Sequence, residues 1–204
     1  IFGVMAITSE YTTSAVQSSL TVNPRRGMFY ATKSVAAALF ALVAGIVGIL
    51  LAAGVLWLFT RGHDITALTN DQSRIIPVTL IGFPLTIVLV SLMAQGLGGM
   101  TRSTVGGVCA LIVLFMVLSS VLSITSMAIN QVEWLGTLSY LTPDTAMNHF
   151  LGAGIESSSQ STLAAAVKPN YWIPDWWQSG LILLAWAAAA WAGGLIVTKK
   201  ADIK

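Results

Sequence analysis

Four long stretches of this sequence contain no charged residue and no histidine, and they constrain the fold more than any other feature. They cover residues 34–60, 75–100, 104–129 and 176–198. Each exceeds the roughly 20 apolar residues that cross a hydrocarbon core of about 30 Å. Charged residues make up only 9% of the chain, against about a quarter in soluble domains. The sequence therefore predicts an all-α integral membrane protein, a polytopic helical bundle with four complete spans in a single transmembrane domain, residues 1–204.

The remaining segments predict what connects these spans. Residues 1–8 are apolar but too short to cross a bilayer, so we expect the end of a preceding span. Residues 9–33 form a polar connection, and residues 101–103 leave room only for a tight helical hairpin. Residues 130–175 are too polar to span. Their spacing, with Pro143 after Thr142 and Gly152 beyond, predicts two short amphipathic helices in an extracytoplasmic interfacial segment.

Small residues, prolines and hydroxyls inside the spans suggest how the helices meet. In the first span, Ala44, Gly48 and Ala52 recur at helical spacing, which predicts close approach of another helix. Pro77 and Pro84 predict kinks in the second span. The third span ends in a set of hydroxyl residues that either bond within and between helices or line a pathway: Ser119, Ser120, Ser123, Thr125 and Ser126.

The distribution of basic residues predicts an orientation. Seven of the ten Lys and Arg residues fall on one side of the predicted spans: Arg25, Arg26, Lys33, Arg102, Lys199, Lys200 and Lys204. By the positive-inside rule the Lys/Arg-rich turns and the C-terminus are cytoplasmic. We therefore expect a multi-pass protein of a bacterial plasma membrane, in contact with membrane lipid, with most acidic residues outside.

Several kinds of chemistry have no support in the sequence. No span carries Asp, Glu, Lys, Arg or His in its interior, which disfavours an ion-coupled carrier. The two histidines, His63 and His149, are isolated in outer segments and predict no metal site. Cys109 is the single cysteine, so no intramolecular disulfide can form. No Walker A pattern occurs, so no cofactor is expected in this chain, and a net charge of +2 does not indicate a nucleic-acid partner. Energy for any transport must come from a partner.

The polar connection has the features of a helix at its start. Thr8 or Ser9 can cap a helix that carries Glu10 in its first turn, where the helix dipole favours a negative charge. This helix would end near Val22, because Asn23 precedes a proline. Two interpretations remain: an amphipathic linker whose arginines hold anionic lipid headgroups, or a docking helix for a cytoplasmic protein.

Three stretches of the chain resemble one known family. The run AITSEYTTSAVQSSLTVNPRRGMFYATK is similar to the segment after the second membrane helix in permease subunits of type-2 ABC transporters. GLGGMTRSTVGG resembles the turn between their fourth and fifth helices, and YLTPDTAMNHFLGAG resembles their outer segment before the sixth helix. The resemblance covers the chain from Ile1 to its basic tail. The first helix and most of the second are absent from this sequence.

This resemblance implies a function and a set of partners. Such a permease pairs with a second permease subunit, as a homodimer or heterodimer, and with cytoplasmic ABC-type ATPase subunits that bind ATP and Mg. Together they export drugs, lipids or other molecules. Residues 10–22 would then be a cytoplasmic coupling helix, and the residues implied in ATPase coupling are Glu10, Tyr11, Ser14, Gln17, Arg25 and Arg26.

Residues on the second and third spans are candidates for the substrate pathway: Phe83, Gln95, Phe115 and Ser119. One rival hypothesis is a membrane scaffold or immunity-type subunit that anchors a cytoplasmic partner and transports nothing. The other is a passive channel or secondary carrier, which the lack of charge within the spans disfavours.

Overall fold

The structure, a computed structural model, describes residues 3–5, 8, 26–61, 75–128, 133–153 and 172–200. Residues 3–5 and 8 are helical. The further elements are α1 (Arg26–Thr60), α2 (Ile75–Thr101), α3 (Thr104–Ile112), a π-helical turn (Val113–Val117), α4 (Leu118–Ala128), α5 (Glu133–Tyr140), α6 (Pro143–Leu151) and α7 (Trp176–Lys200).

Four of the described helices are long and apolar enough to cross a membrane: Gly27–Thr60, Ile75–Thr101, Thr104–Ser126 and Trp176–Lys199. The third consists of α3, the π turn and α4 in succession. Among the described residues the predicted all-helical character is confirmed, as is the presence of four helices long and apolar enough to span a membrane. The sequence did not predict the π turn, in which Leu118 N–H bonds to the Val113 carbonyl.

Helix α1 begins at Arg26, whereas the predicted span began at Ser34. Residues 26–33 were assigned to the polar connection because of their charges. They are helical, and Tyr30 within them is fully buried. Contact with α7 therefore extends this helix beyond its apolar part.

Helix α2 lies at the centre of the bundle, between α1 and α7. Gly96 faces α7 so closely that a Cβ built on it would overlap the Ala190 carbonyl. The residues that α2 buries include four glycines, consistent with a helix that faces protein: Gly82, Gly96, Gly98 and Gly99. Small residues at this crossing let the two backbones approach, as is common between membrane helices.

Helix α1 crosses α2 through a different set of small residues from the predicted one. Gly45 lies against Pro84, whose Cα would be 2.8 Å from a Cβ at that glycine. Ala37 and Ala41 are buried. Of the predicted stripe, Gly48 contacts Phe83, but Ala44 and Ala52 are exposed. Only Gly48 of the three meets a neighbouring helix among the described residues, so the predicted approach of a helix at Ala44 and Ala52 stays a prediction.

Prolines and a tight turn shape the ends of α2. Pro77 lies in the first turn, where its missing N–H breaks no helical hydrogen bond, and Pro84 lies inside the helix. At the other end Arg102 has a φ of 51°, and the Ser103 side chain accepts a hydrogen bond from Gly106 N–H at the start of α3. This turn produces the predicted tight hairpin between the second and third spans.

The two short outer helices are tied to the bundle. Pro143 occupies the first turn of α6. Phe150 of α6 lies between Gly82 and Gly180, with ring carbons 3.0 Å from a Cβ at either position. Trp186 Nε1 donates a hydrogen bond to the Leu141 carbonyl at 2.8 Å. These contacts fix α6 against α2 and α7; the placement of α5 and α6 at a membrane interface stays a prediction.

Candidate functional site

The ends of several helices meet at one end of the bundle, which we call the basic end. It comprises the start of α1, the turn from α2 to α3, and the end of α7. Lys199 lies against Gly27, with its Cε 2.9 Å from the position of a Cβ there. Arg102 occupies the α2–α3 turn. The described carboxylates of Asp144 and Asp175 belong to the opposite end, at the starts of α6 and α7.

The short N-terminal segment is anchored in a groove between α2 and α3. Val4 and Thr8 are fully buried. A Cβ built on Gly107 of α3 would lie 2.7 Å from the Val4 side chain, so only glycine leaves room for it. Thr104 Oγ1 donates a hydrogen bond to Thr8 Oγ1 at 2.8 Å, and Thr8 donates to the Val4 carbonyl at 3.0 Å. The segment is therefore attached to the first turn of α3.

Both flanks of residues 9–25 thus lie at the basic end: Thr8 on one side and Gly27 on the other. Five of the residues implied in ATPase coupling lie outside the described residues: Glu10, Tyr11, Ser14, Gln17 and Arg25. Arg26 begins α1, and only its backbone is described.

A hydrogen-bonded cluster joins α1 to α7 next to this end. Trp191 Nε1 donates to Ser34 Oγ at 2.7 Å, and Ser34 donates to the Tyr30 carbonyl at 2.9 Å. Tyr30 Oη donates to the Trp191 carbonyl at 3.2 Å, and the two rings are 5.7 Å apart. Polar groups buried in lipid need such partners, so this cluster holds the two helices in one register.

Four buried residues in the spans carry polar atoms that have no hydrogen-bond partner in the part of the chain that the structure describes. They are Thr86, Ser91 and Gln95 on α2 and Ser119 on α4. Gln95 is fully buried, and both its Nε2 and its Oε1 are unpaired. An unpaired buried polar group costs about 1–3 kcal/mol. To form a hydrogen bond, these atoms would need water or a polar group that the described residues do not supply.

Other hydroxyls in the same helices do not share this property. Thr125 donates to the Val121 carbonyl at 2.6 Å, and Ser126 donates to the Ser123 carbonyl at 2.8 Å. Thr198 donates to the Gly194 carbonyl at 2.7 Å. Of the hydroxyl set that the sequence left open, Thr125 and Ser126 bond within their helix, while Ser119 has no partner.

The four pathway candidates have two kinds of surroundings. Phe83 packs against Gly48 of α1, and Phe115 in the π turn packs on the core cluster of Met93, Leu183 and Ala187. Gln95 and Ser119 instead bury unpaired polar atoms. The two candidates on α2 do not share one surface of that helix, because Phe83 and Gln95 lie about 120° apart around it.

Sequence reasoning missed Thr86 and Ser91. Ser91 is one turn before Gln95 on the same face of α2, and its carbonyl lies against Gly3 of the N-terminal segment. Thr86 is five residues before Ser91 and lies about 140° around the helix. The available signal was the rarity of polar residues within this apolar span, but sequence alone does not show which of them find partners.

The outer end of the bundle holds a second polar group. Ser179 Oγ donates to the Asp175 carbonyl at 3.1 Å and lies 3.1 Å from His149 Nδ1. Which of these two groups donates to the other depends on the tautomer of His149. Burial raises the pKa of Asp144 above its ordinary value of 3.8. Within the described ranges, no group of three His, Cys, Asp or Glu residues could hold a metal ion.

Comparisons with family models, with curated proteins and with solved structures found no match to this chain. Function is therefore inferred from the residues and their contacts.

Proposed function

We propose that this chain is the transmembrane permease subunit of an ATP-driven exporter. It would move a drug, lipid or other amphiphile out of the cytoplasm with energy from a separate nucleotide-binding subunit. The observation that carries the proposal is the attachment of residues 9–25 at both flanks. Thr104 bonds to Thr8 at 2.8 Å before this segment, and Lys199 lies against Gly27 after it.

These attachments supply a mechanical connection. A force on the segment would reach α3 through Thr8 and α1 through Gly27, and α1 is joined to α7 by the hydrogen bonds of Ser34 and Trp191. Closure of the ATPase subunits would push the segment, and the bundle would respond by rocking as a rigid body. The positive-inside rule favours a cytoplasmic basic end, where such a partner would be.

The interior of the spans also supports transport of an amphiphile. No span contains Asp, Glu, Lys, Arg or His in its interior, so binding of a coupling ion is disfavoured. The unpaired amide of Gln95 and hydroxyl of Ser91 lie on one face of α2 and offer donors and an acceptor in an otherwise apolar region. A substrate with an apolar body and a polar group suits such surroundings.

The test is co-purification of the complete protein with its ATPase, beside a Glu10→Ala, Arg25→Ala, Arg26→Ala variant. We expect a P-loop ATPase to accompany the wild type, and the folded variant to lose that partner or its stimulated ATP hydrolysis. If no ATPase co-purifies and the variant loses only affinity for anionic lipid vesicles, the segment is a surface anchor and the scaffold function replaces the exporter.

A second variant tests the attachment of residues 9–25 to α3 separately from the binding of the ATPase to those residues. Thr104→Val removes the hydrogen bond to Thr8 and leaves residues 9–25 intact. We expect it to keep the ATPase bound but to lower substrate movement per ATP hydrolysed. Thr125→Val is the matched control, because the Thr125 hydroxyl bonds within its own helix, to the Val121 carbonyl at 2.6 Å. Equal transport by the two variants would contradict the mechanical connection.

A further inference from the structure

A groove lined by small apolar residues opens on the bundle surface between α1, α2 and α7. Its volume is about 400 Å³, and its walls include Ala31, Ala38, Leu92, Ala187, Ala188 and Trp191. Ser34 also lines it, but its hydroxyl is already paired with Trp191 Nε1 and the Tyr30 carbonyl. The groove therefore presents hydrocarbon along its length.

One end of this groove carries a cation. Gly27 is one turn before Ala31 on the same face of α1, and Lys199 Nζ would lie 3.5 Å from a Cβ at Gly27. On α7, Lys199 follows Ala188 by about three turns and falls on nearly the same face. Ala31 and Trp191 line one end of the groove. The ammonium group of Lys199 lies just beyond that end.

No described carboxylate lies near this lysine. The side chains of Asp144 and Asp175 belong to the other end of the bundle. An apolar groove within the spans, with a cation where the helices leave the membrane, matches an acyl chain joined to a negatively charged headgroup.

The groove is too small to enclose a whole helix with its side chains. From Ala31 to Ala38 the groove runs for about 10 Å along α1. A helix with its side chains is about 10 Å wide and would fill roughly 800 Å³ over that length. The groove offers about half of that volume. Val35 and Leu184, which line it, are 59% and 51% exposed, so the groove is open to lipid from the side.

We propose that this groove binds an anionic phospholipid, with an acyl chain along Ala31, Ala38 and Ala188 and the phosphate at Lys199. The site is independent of any ATPase partner. It needs only the contacts among α1, α2 and α7.

The test is native mass spectrometry of the complete protein, titrated in detergent with phosphatidylglycerol or with phosphatidylcholine of the same acyl chains. We expect one saturable site that prefers phosphatidylglycerol about five-fold, as one lysine near a headgroup would give. Lys199→Gln should remove the preference and keep binding. Ala188→Leu, which fills the groove, should remove binding of both lipids.

Two matched variants serve as controls. Ala189→Leu adds the same volume at an exposed position that does not line the groove, and Lys200→Gln removes a neighbouring charge. Both should bind lipid as the wild type does. Ala38→Leu fills the groove from α1 and replaces Ala188→Leu if that variant does not fold.

Three results would overturn the proposal. The first is a wild type without a saturable phosphatidylglycerol site. The second is equal loss of lipid in Ala188→Leu and Ala189→Leu. The third is a change in oligomer mass in Ala188→Leu with lipid binding unaltered, which would assign the groove to a second copy of the chain.

Discussion

Trp191 on α7 donates its indole N–H to the hydroxyl of Ser34 on α1 at 2.7 Å, although the two residues are 157 positions apart in the sequence. The same hydroxyl donates to the Tyr30 carbonyl. One serine therefore accepts the hydrogen bond of a partly buried indole and joins the first described span to the last.

Replacing Ser34 tests the strength of this link. Ser34→Ala leaves the Trp191 N–H without its acceptor, and we expect a loss of about 1–2 kcal/mol in the free energy of unfolding. Thermal unfolding of the protein in detergent measures it. Thr60→Val is the control, because the exposed Thr60 hydroxyl bonds only within its helix, to Leu56 at 2.9 Å. If both variants lower the free energy of unfolding equally, the Trp191–Ser34 hydrogen bond does not stabilise the protein more than a bond within one helix does.

The close crossing of α2 and α7 predicts an unusual sensitivity to a single methyl group. Gly96→Ala places a Cβ against the Ala190 backbone, so the helices must separate. We expect a loss of about 1–3 kcal/mol, as overpacking costs in well-packed cores. Gly54→Ala is the matched control, since nothing lies within 4 Å of that position. Denaturant titration followed by circular dichroism compares the two, and similar midpoints would show that the helices are not in tight contact at Gly96.

Replacement of Gln95 should increase the stability of the protein, whereas the two replacements above should lower it. Gln95→Leu removes a fully buried polar group that has no partner among the described residues, and we expect the variant to be more stable by about 1–3 kcal/mol. Gln178→Leu should instead lose stability, because Gln178 Oε1 accepts a hydrogen bond from Asp175 N–H at 2.8 Å.

Transport by the Gln95→Leu variant distinguishes a binding role from simple strain. If the amide contacts substrate, the more stable variant should move less of it in a vesicle export assay with the ATPase partner. A variant that is more stable and exports normally would exclude Gln95 from the pathway. A variant that is less stable would mean that Gln95 has a partner in the folded protein.

The raised pKa of Asp144 predicts how the stability of the protein depends on pH. Burial raises the pKa of this carboxyl above its ordinary value of 3.8, so the folded state binds the proton more tightly than the unfolded state does. Its contribution to stability is therefore fully present below pH 3.8 and is lost as pH rises through the raised pKa. Asp144→Asn stays neutral, so we expect the variant to gain stability relative to wild type as pH rises from about 4 to 7. Unfolding midpoints across that range measure the difference, and a constant difference would contradict the shift.

The general architecture could be predicted without coordinates because the bilayer imposes it. Backbone polar groups have no water to bond to in hydrocarbon, so a long uncharged run must become a helix. The runs 75–100 and 176–198 became α2 and α7 within a few residues of their predicted ends. The short turn at Arg102 and Ser103 left no choice but a hairpin.

The sequence by itself determined the four spans, the hairpin and the polar segments between them, because these depend on hydropathy and length. Only the tertiary structure decided which faces meet. In the folded chain α1 packs on α2 through Ala37, Ala41 and Gly45, and Ala44 and Ala52 are exposed. Helix α1 begins at Arg26, and Ser34 is paired with Trp191. The tertiary structure also separated Gln95, whose amide is unpaired, from hydroxyls such as Thr125 that bond within their helix. The reason is physical: every face of these helices is apolar, so the choice among faces depends on shape and on distant partners that no local pattern contains.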